Sequence, residues 1–238
     1  MTRPPLSRAE NDPSLARRER VLAAARAAIE EHGPGALTGQ IAEYAGLARP
    51  NVYRVFASKD ELDQALARSA YQELRTAIRA KLDPSGTPLE IIRAPIEAQV
   101  TWAAKHQNLY RFLVSRGYQR SSHEHTAERS DFAAELAAAG ARYFPGFAED
   151  PDAAEATLVA LIGLIDASVL RWLSRRVGTR KQLIDRLTAQ AWLIWEHHLR
   201  EFGGQVDPAV PLPRRPARSS AVRKRPRGAV VRSKRHVK

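Results

Sequence analysis

TGQIAEYAGLARPNVYRVF, residues 38–56, reads as two short helices joined by a tight turn. Thr38 is placed to N-cap a first helix that buries Ile41, Ala42 and Ala45. Gly46 follows the last periodic residue, where a left-handed C′ position is usual, and Leu47 packs beneath the turn. The second helix starts at Arg49, with Pro50 in its first turn, where a missing N–H costs nothing and φ is already helical. Val52 and Phe56 fall four apart and face inward, leaving Arg49, Asn51, Tyr53 and Arg54 for the outer faces. A helix–turn–helix puts the start of its second helix in the major groove of DNA. Arg donates twice to guanine, Asn pairs bidentately with adenine, and Tyr and Lys suit phosphate oxygens. A plain helical hairpin with polar outer faces has the same spacing, so spacing alone leaves both readings open.

The flanks separate them. Upstream stands RVLAAARAAIEEHGPGALT and downstream ASKDELDQAL. The matching features are Val21, Leu22, Ala24, Ala25, Gly33, Thr38, Ile41, Ala42, Ala45, Gly46, Tyr53, Phe56, Ser58, Lys59 and Leu62. As a set they resemble the N-terminal domain of the TetR family of bacterial transcription regulators over about residues 17–66. The resemblance implies phosphate contacts from Thr38, Tyr53 and Lys59, and groove-facing positions for Arg49, Pro50, Asn51 and Arg54. Three residues depart from the family pattern. Ala48 stands where Ser usually caps the recognition helix, a change that costs roughly 1 kcal/mol. Val55 stands where His is common, and Gly39 where some members carry a base-reading side chain. These departures bear on which operator is read.

The 238 residues carry a net charge of +12, unevenly placed. Residues 1–58 hold 8 Lys/Arg against 6 Asp/Glu, residues 59–213 hold 19 against 20, and residues 214–238 hold 11 and no acid. The basic character therefore belongs to the tail and gives no evidence of a basic surface on the folded body. With no Cys there are no disulfides, thiolate metal sites or cysteine nucleophile, which fits a reducing cytoplasm. The first twenty residues are polar and basic, unlike a signal peptide, and the most apolar stretch, 157–173, is interrupted by Asp166, Ser168 and Arg171, a poor membrane span.

Nine helices are expected, with no strand-period alternation. Asp12-Pro13 opens the first, which ends at 32–35, and Ser58 with Glu61 boxes a long fourth helix to about Lys81. Lys59 in that first turn opposes the helix dipole, which a nearby phosphate would offset. Residues 83–88 break the chain; Thr87 and Glu90 then box a fifth helix that carries Pro95 internally. A sixth helix holds 108–115 and stops near Gly117. Ser121 and Glu124 cap a seventh that ends before Pro145. Asp150-Pro151 opens an eighth, closed by Gly178, and Thr179 with Gln182 boxes a ninth, closed at 203–204.

The eighth helix is apolar nearly all round from Leu158 to Leu173, so it needs cover on both sides. Small residues at Ala160, Gly163 and Ala167 permit close helix approach. Burial inside one chain is one solution. The favoured one, which the resemblance shares, is a two-fold four-helix interface from the eighth and ninth helices, with Leu158, Gly163, Leu170, Leu187, Ile194 and Trp195 as its candidates. Trp102, His106, Tyr110, Phe112 and Phe132 fall on helices five to seven, which line an effector cavity in TetR-like proteins; ordinary core is the competing reading for any one of them. Trp102, His106, Tyr110 and Phe132 are the candidate ligand residues. Asp166 needs a partner if buried. Pairing across a dimer or reaching the helix surface is favoured over holding a ligand. His123 and His125 point about 200° apart on a helix and cannot share one ion, and adjacent His197 and His198 fail similarly. No metal, cofactor or catalytic motif is expected.

The sequence thus describes an all-α, TetR-like chain. Its expected parts are a disordered arm (1–13), a helix–turn–helix domain (14–58), a helical ligand-binding and dimerisation body (59–204), and a linker with a disordered basic tail (205–238). The functional expectation is a cytoplasmic, ligand-responsive regulator that is not an enzyme: a repressor that binds a palindromic site on double-stranded DNA as a homodimer, without a membrane, and is released by a small apolar molecule. The alternative is an architectural DNA binder without effector, driven by the tail.

Overall fold

The computed structural model describes residues 13–82, 85–119, 123–144, 146–201 and 205–212, with backbone only at 116–119, 123–129 and 146–147. The helices are α1 (Pro13–His32), α2 (Thr38–Ala45), α3 (Arg49–Tyr53), α4 (Lys59–Arg79), α5 (Pro88–Lys105), α6 (Gln107–Gln119), α7 (His123–Gly140), α8 (Gly146–Glu149), α9 (Pro151–Arg175) and α10 (Arg180–Glu201). All nine expected helices are present, and α8 is one additional turn, so the expected eighth and ninth helices are α9 and α10. No strand occurs among the described residues, only an isolated bridge between Gly86 and Leu212.

Local chemistry sets most helix ends. Ser58 Oγ accepts from the Glu61 amide at 3.0 Å, while the Glu61 carboxylate accepts from the Ala57 amide at 2.8 Å. Thr87 with Glu90 and Thr179 with Gln182 form the expected reciprocal boxes, and Asp150 caps α9 through the Ala153 amide. Gly46 takes the left-handed conformation at φ 62°, and the Leu47 amide closes back on the Ala42 carbonyl at 2.9 Å. A side chain there would meet the Cβ penalty that glycine avoids.

Several boundaries differ from expectation. Pro13 opens α1, as its place after Asp12 predicts, so the arm is one residue shorter than the expected division at 13. Thr38 is not the cap of α2 but its first residue; Leu37 occupies the cap, and its amide donates to the Gln40 side-chain oxygen at 2.7 Å. Gln40 thus supplies the returning half of a capping box, while Leu37 has no side-chain oxygen for the other half. α3 is five residues long because the amides of Val55 and Phe56 both turn back onto the Val52 carbonyl. α6 runs through Gly117, and α9 is closed by Arg176 in the left-handed region (φ 53°) before Gly178 is reached. The expected linker is partly docked: the Leu212 amide donates to the Gly86 carbonyl at 3.0 Å, and Val206 and Leu212 pack on the core. The arm 1–12, the Ser121 cap, Pro145, the glycines 203–204 and the tail from 213 lie outside the described residues.

One apolar core runs through the described residues from α1 to α10. Val21, Ala25, Ile29, Ile41, Val52, Phe56 and Leu62 close the N-terminal head. The core continues through Leu74, Ile92, Val100, Leu109 and Tyr110 into α9 and α10. α1 packs on α2 and α4 and also on α6, so the head is seated directly on the body. α9 lies against α7, and α10 against α5. By length and composition alone α9 could cross a membrane, yet Leu158, Leu161, Ile165, Val169 and Leu173 on one of its faces are buried within this chain.

Candidate functional site

Two turns of chain present the polar row of the head. Val52 and Phe56 are 1% exposed and anchor α3 from beneath. Arg18 stacks its guanidinium 4.2 Å from the centre of the Phe56 ring and reaches Glu61, fixing α1 to the α3–α4 corner. With the apolar side so held, Arg49, Pro50, Tyr53 and Arg54 are exposed and Asn51 half-buried. Ala48 offers no side-chain cap to α3; its carbonyl accepts from the Asn51 amide at 2.8 Å, and Pro50 has no amide hydrogen to satisfy.

Thr38 and Tyr53 are brought together, their hydroxyls 3.3 Å apart. Thr38 is buried and Tyr53 is 39% exposed. The Tyr53 phenol is held below its ordinary value by its hydrogen bond to Thr38, with Arg49 and Lys59 adding to the effect. A phenol in that setting is a better donor to a phosphate oxygen. Lys59 has a partner that sequence reasoning missed: Asp63 at 2.5 Å, one turn on and only 1% exposed. The pair explains how a lysine is tolerated in the first turn of α4 without a phosphate. The i,i+4 spacing was the signal that could have found it. Gly39 faces open space, with nothing within 4 Å of an added Cβ.

Behind the head, six side chains join α1 to the body. Glu73 on α4 accepts a forked pair of bonds from Arg26 at 2.5 and 3.2 Å and a third from the Trp102 indole N–H at 3.0 Å. His106 Nδ1 lies 2.9 Å from Glu30, with Nε2 3.8 Å from Glu73. Asn108 donates to the Glu30 carbonyl at 2.8 Å. The Glu73 carboxyl is held below its ordinary range, first by Arg26 and then by Trp102, against partial burial.

Beyond this joint is a cavity of about 160 Å³ between α4, α5, α6, α7, α9 and α10. Its walls are apolar and aromatic, including Tyr71, Ile96, Tyr110, Phe132, Ile165 and Trp195. Pro95 lines it as well; a proline inside a helix takes away one internal hydrogen bond. Gln99 and Tyr110 are buried and both donate to Asp166 Oδ1, at 2.9 and 2.8 Å, while Gln99 also donates to the Tyr110 hydroxyl at 3.0 Å. Asp166 thus faces inward, contrary to the favoured expectation of a surface or cross-dimer residue; neutral donors from α5 and α6 meet it there.

Of the four candidate ligand residues, Tyr110 and Phe132 form cavity wall. Trp102 and His106 do not; they stand behind Tyr110, with ring centres 6.3 Å (Trp102–Tyr110) and 4.9 Å (Trp102–His106) apart, and belong to the joint. The interface candidates also divide. Leu158, Leu187 and Trp195 are already buried within one chain, Leu158 and Trp195 in the cavity wall, so they are not available to a partner. Gly163 and Leu170 are half-buried, and Ile194 is 38% exposed. The outward side of α9 and α10 carries Val159, Ala160, Gly163, Ala167 and Leu193, a small-residue apolar surface. His123 and His125 lie where side chains are not described.

Residues 21–66 match the family model for bacterial regulatory proteins, tetR family. Solved structures with the same fold include a TetR-like transcriptional regulator from Rhodococcus sp. RHA1, 20% identical over 84% of this chain and 100% of that one (TM-score 0.53). A tetR-family regulator from Streptomyces coelicolor is 20% identical over 79% of this chain and 83% of its own (TM-score 0.61). LfrR from Mycobacterium smegmatis, solved in complex with proflavine, is 22% identical over 76% and 97% (TM-score 0.54).

Proposed function

We propose that the chain is a cytoplasmic transcriptional repressor, not an enzyme, that binds a palindromic operator as a homodimer and releases it when a small molecule fills the body; the tetR-family match over residues 21–66 and the fold support this. The observation that carries this reading is the seat of α1. The helix that backs the DNA-reading row is bonded through Arg26 and Glu30 to Glu73, His106 and Asn108, one residue layer from the cavity wall at Tyr110.

In the dimer the α9–α10 faces of two copies pack together, with Gly163 and Ala167 allowing close approach. Arg49, Asn51 and Arg54 reach base edges, and Tyr53 with Thr38 and Lys59 engage phosphates. Two recognition helices then sit about one DNA turn, ~34 Å, apart. A ligand weakens binding only to the extent that it prefers the body shape in which that spacing is lost. The proflavine complex of LfrR is a precedent for a small molecule on this fold.

Genome-wide mapping of bound sites tests the reading. A two-fold motif with half-sites one turn apart is expected near a small set of genes. Diffuse occupancy without a motif would replace it with the architectural alternative.

A further inference from the structure

Along α5, Ile91, Pro95 and Gln99 recur at spacing four and all line the cavity, so one face of the helix looks into it. That face carries two hydrogen-bond acceptors. Pro95 has no N–H to return to the Ile91 carbonyl, which loses its helical donor. Gln99 supplies the other acceptor. Its amide nitrogen donates twice, to Asp166 Oδ1 at 2.9 Å and to the Tyr110 hydroxyl at 3.0 Å. The Tyr110 proton goes in turn to Asp166 at 2.8 Å. Both partners therefore call for the N–H side of the amide, and its orientation is fixed by the network.

The Gln99 carbonyl oxygen is left over. Among the described residues it accepts no hydrogen bond, although Gln99 is only 7% exposed. A buried acceptor without a donor is destabilising, and a bound molecule carrying an O–H or N–H would relieve it. The rest of the lining suits the body of such a molecule. Ile96, Phe132, Ile165 and Trp195 are apolar or aromatic. The volume, about 160 Å³, is close to that of the ~150 Å³ apolar cavity that takes benzene, so there is room for one ring with small substituents.

We propose that the cavity selects a single-ring aromatic hydrogen-bond donor, a phenol, its ring held by the apolar walls and its hydroxyl donating to the Gln99 side-chain oxygen. Gln99 is thus the specificity-determining residue, and a ring of the same size that lacks a donor is discriminated against. The proposal rests on reading the cavity as the effector site, and the test separates the two.

Binding of p-cresol, 4-methylanisole and p-xylene to the full chain is measured by calorimetry at pH 7 and 0.15 M salt, with release of promoter DNA as a second readout. The three share a ring, and only p-cresol donates. A purely apolar pocket would favour p-xylene. p-Cresol should instead bind at least about tenfold more tightly than either, because a site built to hydrogen-bond a hydroxyl rejects analogues that lack it. In Gln99→Met, which keeps the length of the side chain without the amide, that preference should disappear; if the variant does not fold, the wild-type ranking decides alone. Binding of 4-methylanisole as tight as that of p-cresol would overturn the proposal, and so would tightest binding by p-xylene or a p-cresol preference that survives in Gln99→Met. No binding of any of the three at millimolar concentration would also overturn it. p-Cresol binding in the expected order that leaves DNA bound supports the donor site and refutes the effector reading instead.

Discussion

Glu73→Gln tests whether the joint between head and body carries energy. The substitution keeps the shape and an acceptor for the Trp102 indole N–H, 3.0 Å away, but it removes the charge that Arg26 grips with two bonds. Charge-assisted hydrogen bonds contribute ~1.5–3 kcal/mol. The Arg26 and Glu73 side chains are 32% and 41% exposed, and exposed ion pairs are worth ~0–1 kcal/mol. A loss of about 1–2 kcal/mol follows. For a chain of this size each kcal/mol moves Tm by about 2–4 °C, so scanning fluorimetry should find Tm lower by roughly 2–8 °C. A double-mutant cycle with Arg26→Ala isolates the pair and should return a coupling of at least ~0.5 kcal/mol. Operator affinity should fall in the same variants, because α1 then sits less firmly on the body. Additive single-mutant losses, agreeing within ~0.3 kcal/mol, would refute the claim that Arg26 and Glu73 act as a latch.

Arg49→Ala should relax preference at one base position per half-site, with a loss of ~1–3 kcal/mol per bidentate contact, whereas Tyr53→Phe should weaken all sequences alike; selection from a random-site library separates the two patterns. Gly163→Leu should yield monomers by sedimentation that bind palindromic DNA poorly, and a wild type that sediments as a monomer at micromolar concentration would remove the basis for this. The Glu135 carboxyl is held below its ordinary value near 4.5, first by Arg79 and then by Arg75. Its contribution is therefore present above that value and lost as pH falls through the depressed one. Glu135→Gln should accordingly be less stable at pH 7, and its deficit against the wild type should shrink on acidification below about pH 4. Deleting everything after Pro213 should leave base preference intact and flatten the salt dependence. If about five of the 11 tail charges engage phosphates, the slope of log K against log[salt] drops by roughly 4–5.

What the sequence made legible was set by neighbours in the chain. Gly46, Pro50, Ser58 with Glu61 and Thr87 with Glu90 each solve a local backbone problem within four residues, so their roles follow from spacing. Thr38 shows the limit even there: the helix begins one residue earlier than its hydroxyl suggests, with Leu37 at the cap, and its burial beneath Tyr53 depends on α3 folding back over α2. The joint and the cavity's polar end lay beyond reach for a different reason. Glu73 meets Arg26 across 47 residues, and Asp166 meets Gln99 across 67; no periodicity encodes such pairs.

The same distinction explains why the aromatic set divides. Trp102, His106 and Tyr110 recur at spacing four along the chain, which places them on one side of α5 and the start of α6 but does not say what faces that side. In the folded chain the helix break at His106 turns Tyr110 toward Asp166 while Trp102 and His106 stay against Glu73. That division gives the body two linked faces. A group entering beside Tyr110 presses on the ring whose other neighbour is Trp102, and Trp102 shares Glu73 with the DNA-binding head. On the proposed reading, a bulky ligand that displaces Tyr110 should therefore act first on the residues that seat α1, before any movement of α4 is required.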